Sequence, residues 1–290
     1  MAGGTMIDAP GRGAAIPEAL GTDDTAGARR IRAAFEAPRA GGRAALIPYV
    51  VAGYPDADLS VDIALAAADA GADLLEVGLP YSDPLADGAT LQRASGAAIR
   101  AGASLDGSLR LIERIGAARP ALPIVPMGYA NQVIGGGDGA TVVRRLRDAG
   151  AAGLIVADLT PDESGPFEAV ARDAGLAIVY LVAPTTPAAR RRMIAARTGG
   201  FLYCVSLVGV TGARSALPRS IEDLVGDVRA ASPVPVAVGF GVSTPDHVRS
   251  LAAAGADGVI VASALVDALG PDGRDVAALA ALVERLRAAT

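Results

Sequence analysis

A repeated local pattern constrains the fold of this chain more than any other feature. Four times, a segment typical of a helix end finishes in glycine and is followed at once by a short apolar run. The glycines are Gly71, Gly150, Gly175 and Gly255, spaced by 79, 25 and 80 residues. Glycine suits the position after a helix, where the backbone turns left-handed. The spacings fit three, one and three copies of a unit of about 26 residues, long enough for one strand and one helix.

This unit predicts eight short apolar strands. They start near Ala45, Asp73, Pro123, Gly153, Ala177, Phe201, Pro235 and Gly258. Segments with helical periodicity follow them, for example Leu59–Ala70, Ala140–Ala149 and Val276–Ala289. The strands are continuously apolar, as in a parallel sheet covered by helices. The prediction is an α/β protein with a single (β/α)8 TIM barrel. An open doubly wound sheet is the alternative, but the 51–55 segment is a poor match to its Gly-rich first turn.

Two stretches depart from the regular unit. Residues 1–40 are rich in Ala, Gly and Pro, and we expect a partly mobile N-terminal extension with one helix around Ala28–Ala37. The barrel domain is then expected to span residues 41–290, with no second domain. The gap before the third strand is about twice the unit, so the connection after the second strand is enlarged.

Composition excludes several classes of protein. The chain of 290 residues is 51% hydrophobic and 20% charged, which is typical of a globular domain with a large core. It has no apolar run near the ~20 residues of a membrane helix, and its N-terminus does not resemble a signal peptide. A net charge of -5 argues against nucleic-acid binding. Because the single cysteine, Cys204, cannot form an internal disulfide, we expect a cytoplasmic protein.

Two absences limit the chemistry. All 26 basic residues are arginine, so no lysine can form a Schiff base or hold pyridoxal phosphate. The only histidine, His247, lies between Asp246 and Arg249 and is expected on the surface of a helix. We expect no metal site. Catalysis must then rely on carboxylates, hydroxyls, backbone amides or arginine.

The second strand contains a carboxylate. Glu76 lies near the C-terminal end of this apolar strand, where TIM barrels place catalytic groups. A buried carboxylate must be paired, protonated or functional, so an ion pair that stabilises the barrel is the alternative. The enlarged loop that follows adds Asp83 and Asp87, although Asp-Pro and Asp-Gly are also ordinary turn dipeptides.

Glycine-bearing segments follow the last strands. Gly241 follows the seventh strand, and Ala262 and Ser263 follow the eighth. In TIM barrels these loops commonly bind phosphate through backbone N–H groups, although glycine can simply permit a tight turn. The Gly209–Arg214 loop after the sixth strand is small and polar, and is a candidate closing lid.

These segments together carry a resemblance to a known family. The stretch from Leu75 to Gly88, LEVGLPYSDPLADG, resembles the signature of tryptophan synthase alpha chains. Shorter matches follow the family's order along the chain from about Ala45 to Val266. They are Pro48-Tyr49, Ala52–Pro55, Tyr129–Asn131, Ala157-Asp158, Gly209–Gly212 and Gly239–Gly241.

The resemblance implies a lyase that cleaves indole-3-glycerol phosphate into indole and glyceraldehyde 3-phosphate in tryptophan biosynthesis. It implies that Glu76 is the general acid/base and that Asp87 binds the indole N–H and stabilises positive charge on the ring. The implied substrate-binding residues are Tyr203, Thr211, Phe240 and Tyr129. The implied phosphate-binding residues are Gly212, Gly241, Ala262 and Ser263. Ala262 stands where the family usually has glycine, and a positive φ there would be strained.

The resemblance also implies a partner. The family acts as an αββα complex with a beta subunit that holds pyridoxal phosphate, so this chain needs no cofactor of its own. The implied docking face lies around Asp83 and Asn131. A stand-alone indole-glycerol-phosphate lyase, another phosphate-binding barrel such as a sugar-phosphate isomerase, and a non-catalytic barrel that activates a partner remain alternatives.

Overall fold

The computed structural model describes residues 24–135, 139–205, 220–239 and 241–290. The sheet in these residues has nine strands: β1 (Ala45–Val51), β2 (Leu75–Gly78), β3 (Ile124–Gly128), β4 (Gly153–Val156), β5 (Ala177–Val179), β6 (Leu181–Val182), β7 (Leu202–Val205), β8 (Val236–Gly239) and β9 (Gly258–Val261). Every predicted strand is present and begins within two residues of its predicted start.

Helices separate the strands. They are α1 (Ala26–Ala40), α2 (Ala57–Asp69), α3 (Ala89–Arg100), α4 (Leu105–Ala118), α5 (Ala130–Val133), α6 (Gly139–Asp148), α7 (Gly165–Asp173), α8 (Ala188–Arg197), α9 (Ser220–Ala231), α10 (Pro245–Ala253), α11 (Ser263–Ala268) and α12 (Val276–Arg287). None of the helices in the described residues is long and apolar enough to cross a membrane. The connection after β2 is enlarged, as the spacing predicts, and it contains both α3 and α4.

The strands form a closed parallel barrel. Their order is β5-β4-β3-β2-β1-β9-β8-β7-β6, and every pairing is parallel. Only Tyr180 separates β5 from β6, and β5 pairs with β4 while β6 pairs with β7. The predicted fifth strand is therefore one strand with two neighbours, and the sheet closes. The TIM-barrel prediction is confirmed, and the open doubly wound sheet is excluded.

The repeat that revealed the barrel has a structural cause. Gly71, Gly150, Gly175 and Gly255 all have positive φ, between 82° and 114°. The aspartate two residues after Gly71, Asp73, accepts the N–H of Leu46 at 2.8 Å and pairs with Arg43. Asp257 occupies the same place after Gly255 and has the same kinds of partner, the N–H of Val236 and Arg229. In these two of the four turns, the helix end is thus followed by an aspartate that anchors the next strand to its neighbour.

The core has two layers, one inside the barrel and one between the barrel and the helices. Adjacent residues on a strand alternate between them, as the period of two requires. On β7, Tyr203 lies in the inner layer and Cys204 in the outer layer. Cys204 is the small core residue that its position predicts, and burial raises the pKa of its thiol to about 12.

The expectation for His247 is wrong. It lies on α10 as predicted, but it is only 4% exposed. The charged neighbours in sequence suggested a solvent-facing position. In the structure the ring folds back onto the turn before the helix, where Nδ1 accepts the N–H of Ser243.

Helix α1 closes the N-terminal end of the barrel. Ile31 and Phe35 are buried there, and the Phe35 ring lies 5.6 Å from that of Phe201, just before β7. The N–H of Gly27 donates to the carbonyl of Gly175 at 2.9 Å. The predicted helix around Ala28–Ala37 is therefore packed on the barrel. A domain boundary at residue 40 stays a prediction.

We expect Gly27→Ala to destabilise the protein. A Cβ at this position would lie 1.7 Å from the carbonyl oxygen of Ala152, so α1 must move away from the barrel. Overpacking of this kind costs about 1–3 kcal/mol, measured as the free energy of unfolding in urea. The control is Gly226→Ala in α9, where a Cβ meets nothing within 4 Å. That change should stabilise slightly, because alanine favours helix more than glycine does. Equal effects of the two changes would show that α1 is not clamped in this way.

Candidate active site

Glu76 projects into the barrel from β2. Its neighbours Leu75 and Val77 lie in the outer layer, so the alternation turns Glu76 inward. The side chain is 1% exposed, and neither carboxyl oxygen has a hydrogen-bond partner in the described part of the chain. Burial, followed by the negative charge of Asp87, raises the pKa of Glu76 to about 8. The carboxyl therefore holds a proton at neutral pH.

This environment excludes a structural ion pair for Glu76 within the described residues. A glutamate that stabilised the barrel through a salt bridge would have arginine near its oxygens and a lowered pKa. Neither oxygen of Glu76 has a partner among the described residues, and its pKa is raised rather than lowered. A buried carboxyl with unsatisfied oxygens and a raised pKa is typical of a functional group.

Asp87 lies in the loop between β2 and α3, and its backbone is held on both sides. Its N–H donates to the carbonyl of Pro84 at 3.0 Å, and its carbonyl accepts Nε2 of Gln92 at 2.9 Å. Burial raises the pKa of Asp87 to about 6, and a hydrogen bond from Tyr129 to its side chain opposes this shift. Asp87 is therefore ionised at neutral pH, where Glu76 is protonated.

Tyr129 attaches this loop to the neighbouring β3–α5 turn. Its hydroxyl accepts the N–H of Ala86 at 3.0 Å and hydrogen-bonds the side chain of Asp87. Its ring stacks on Tyr81, with centroids 5.1 Å apart. Gln132 completes the attachment by donating to the carbonyl of Pro80 at 2.7 Å. These contacts fix the position of Asp87 relative to the barrel.

Two further tyrosines border the carboxylates. Tyr49 is the register partner of Glu76 on β1, and Tyr203 extends into the barrel from β7. Burial raises the pKa of both hydroxyls, and the charges of Glu76 and Asp87 raise it further. Glycines make room for them, since a Cβ at Gly78 would lie 1.8 Å from the Tyr49 hydroxyl. The sequence did not single out Tyr49 as a site residue, because β1 is apolar throughout and hides which residues face inward.

The expected phosphate-binding segments lie at the ends of β8 and β9. These strands are neighbours in the barrel, so the turns after them are adjacent. Gly241 has φ +76°, and Ala262 precedes α11 with φ −122°. The strain expected from alanine at this position is therefore absent. The amides of Ser263 and Ala264, in the first turn of α11, have no acceptor among the described residues.

The described site residues therefore gather at the C-terminal mouth of the barrel. Glu76, Asp87, Tyr129 and Tyr203 form one electrostatically coupled group. Thr211, Gly212 and Phe240 lie outside the described residues. No group of three or more His, Cys, Asp and Glu side chains in the described ranges is arranged to hold a metal ion.

Comparisons with known proteins agree on one family. The profile of the tryptophan synthase alpha chain family matches residues 35–289. The tryptophan synthase alpha chain of Roseiflexus castenholzii is 46% identical over 260 residues, covering 89% of this chain and 99% of that relative. A chain in a structure of Mycobacterium tuberculosis tryptophan synthase is 41% identical, with TM-score 0.82, covering 90% of this chain and 97% of that one. The alpha subunit from Legionella pneumophila is 32% identical, with TM-score 0.81, covering 90% and 97%. The chain therefore belongs to the tryptophan synthase alpha chain family.

Proposed function

We propose that Glu76 and Asp87 carry out the carbon–carbon bond cleavage of this family's alpha reaction. The chain is a lyase of tryptophan biosynthesis that converts indole-3-glycerol phosphate into indole and glyceraldehyde 3-phosphate. One observation supports the two roles above all others. Two carboxyls share one buried site, and their pKa values differ, at about 8 for Glu76 and about 6 for Asp87. At neutral pH the site thus holds one acid and one anion.

The two roles follow from the protonation states. Glu76 donates its proton to C3 of the indole ring, and the ring becomes a cation. Asp87 accepts a hydrogen bond from the indole N–H and stabilises that cation. Glu76, now a carboxylate, removes the proton from the hydroxyl on the carbon attached to C3. The carbon–carbon bond breaks, its electron pair returns to the ring, and the aldehyde forms. Glu76 ends protonated, and no lysine is required.

The remaining residues bind the substrate. We assign Tyr203, Tyr129, Thr211 and Phe240 to contacts with the indole and glycerol portions. For Tyr129 the supporting observation is that its hydroxyl bonds the side chain of Asp87 and the N–H of Ala86. We assign Gly212, Gly241, Ala262 and Ser263 to the phosphate. Unpartnered amides beside Gly241 and Ser263 support this, since such amides favour an anion.

A beta subunit is the partner that the family implies, and pyridoxal phosphate belongs to that subunit. We place the docking face around Asp83 and Asn131. Leu85, in the same loop, is 91% exposed, whereas the other exposed large apolar side chain among the described residues, Ile99, is 38% exposed. Asn131 donates from Nδ2 to the hydroxyl of Tyr81 at 3.2 Å, so this face continues into the stack on Tyr129. A cytoplasmic location stays a prediction.

The overall proposal is tested by incubating the purified chain with indole-3-glycerol phosphate, with and without a beta subunit, and by measuring indole and glyceraldehyde 3-phosphate. We expect slow cleavage that accelerates with the partner, and less acceleration in Leu85→Ser. Fast cleavage that does not respond to the partner would instead indicate a stand-alone lyase. No cleavage by a folded chain would leave a different phosphate substrate or a non-catalytic role.

We expect Glu76→Gln to lower kcat by about 10²–10⁴-fold, because glutamine cannot transfer a proton. Substrate binding, measured by calorimetry, should persist. Burial raises the pKa of Glu76, so its contribution to stability is present at low pH and is lost as pH rises towards 8. The variant should therefore be more stable than the parent at pH 9, by about 3–5 kcal/mol. The matched control is the exposed Glu113→Gln, which should change neither property. Substantial turnover by Glu76→Gln would remove Glu76 from its role.

The pH dependence of kcat/KM should be bell-shaped. Activity should fall below about pH 6 as Asp87 gains a proton, and above about pH 8 as Glu76 loses one. Tyr129→Phe removes a hydrogen bond that lowers the pKa of Asp87, so the acidic limb should move to higher pH. Tyr81→Phe, which keeps that bond, is the control. An acidic limb that stays in place in Tyr129→Phe would contradict the assignment.

Asp87→Asn should cost about 10²–10³-fold in rate and remove the acidic limb.

A further inference from the structure

His247 is bonded to the turn that joins β8 to α10. Its Nδ1 atom accepts the N–H of Ser243 at 3.3 Å, and the ring is 4% exposed. Since Nδ1 is an acceptor, the neutral ring carries its proton on Nε2. Nε2 is buried and has no hydrogen-bond partner in the described ranges. Within the described residues, Nδ1 therefore makes the hydrogen bond of this ring, and Nε2 makes none.

The bond resembles a capping box. The N-cap residue of α10, Thr244, accepts the N–H of His247 on its hydroxyl at 3.2 Å. In a capping box, a Glu or Gln at the position of His247 reaches back to a backbone N–H before the helix. Here the imidazole makes that reciprocal bond, one residue earlier, at Ser243. The bond to Thr244 caps the start of the helix, and the bond from Ser243 to Nδ1 holds the turn before it.

The bond also decides which amides of the turn remain unpartnered. The N–H of Ser243 is occupied by His247, whereas those of Gly241 and Val242 have no acceptor among the described residues. Gly241 has φ +76°, a left-handed conformation that glycine adopts without strain. Register pairs Val238 with Val259, so this turn lies beside the start of α11 at Ser263.

We propose that His247 is a positioning residue for the phosphate cradle. By holding Ser243, it keeps the amides of Gly241 and Val242 oriented towards the bound phosphate without touching the phosphate itself. The inference rests on the proposed phosphate site at Gly241. A donor left unsatisfied at Nε2 is a cost to folding that an apolar residue would avoid. The side chain should therefore matter more for phosphate binding than for stability.

Three substitutions of His247 and one matched control separate these effects. His247→Leu and His247→Phe remove the bond to Ser243, because neither side chain carries a hydrogen-bond acceptor. His247→Gln keeps an acceptor that reaches back, as in an ordinary capping box. Thr244→Ala is the matched control, since it weakens the N-terminus of the same helix but leaves the bond between Nδ1 and Ser243 in place.

The full chain is assayed for KM and kcat with indole-3-glycerol phosphate, for inhibition by inorganic phosphate, and for affinity towards indole, the product without phosphate. In His247→Leu and His247→Phe we expect KM and the phosphate inhibition constant to rise about tenfold. The turnover number kcat should stay within about twofold, because binding common to the ground and transition states is lost. Affinity for indole should not change. His247→Gln should restore KM to within about twofold of the parent.

Four outcomes would overturn the inference. An unchanged KM in His247→Leu or, if that variant does not fold, in His247→Phe would show that the bond does not orient the cradle. A parallel loss of affinity for indole, or an equal effect of Thr244→Ala, would show a merely structural role. If inorganic phosphate does not compete with substrate in the parent, the phosphate site itself is wrong, and the inference falls with it.

Discussion

The buried, unpartnered carboxyl of Glu76 is the constraint on which the rest of the site depends. A charged carboxylate in such surroundings is strongly disfavoured, so the group keeps its proton at neutral pH. Only a closed barrel provides this environment, because an inward-facing side chain on β2 has strands on every side. The nearby charge of Asp87 disfavours ionisation further. The fold therefore provides an acid whose pKa is set by burial and by the charge of Asp87.

Asp87, the second carboxyl, has the opposite protonation state at neutral pH. Asp87 lies beside an apolar core, and Tyr129 in the neighbouring β3–α5 turn provides a hydrogen bond that favours the charged form of its carboxyl. The loop is held by side chains of the next βα unit, through the Tyr81–Tyr129 stack and Gln132. Because these contacts join the proposed docking face to Asp87, a partner bound near Asn131 would act on the same group of residues.

The opposite side of the mouth is built from backbone. Gly241 and Ser263 follow neighbouring strands and present amides, whereas Glu76 and Asp87 present carboxyls. In the proposed mechanism, side-chain chemistry is confined to the reacting carbon atoms, and the phosphate is bound by groups that every residue carries. Backbone amides bind only in the right conformation, which is why the proposed role of His247 needs no contact with the substrate.

The sequence by itself determined the barrel and the place of its acid. The glycine turns, the apolar strands and the position of Glu76 are local patterns. The strand starts were confirmed to within two residues, the four glycines have positive φ, and Glu76 lies on β2. Contacts between distant segments were decided only by the tertiary structure. Tyr129 bonds Asp87 from 42 residues away, Tyr49 faces Glu76 across a strand pair, and His247 turns inward despite charged neighbours. Periodicity shows which residues can share a face. Hydrogen-bond partners, burial and the resulting pKa values depend on which faces meet, and that follows from closure of the barrel.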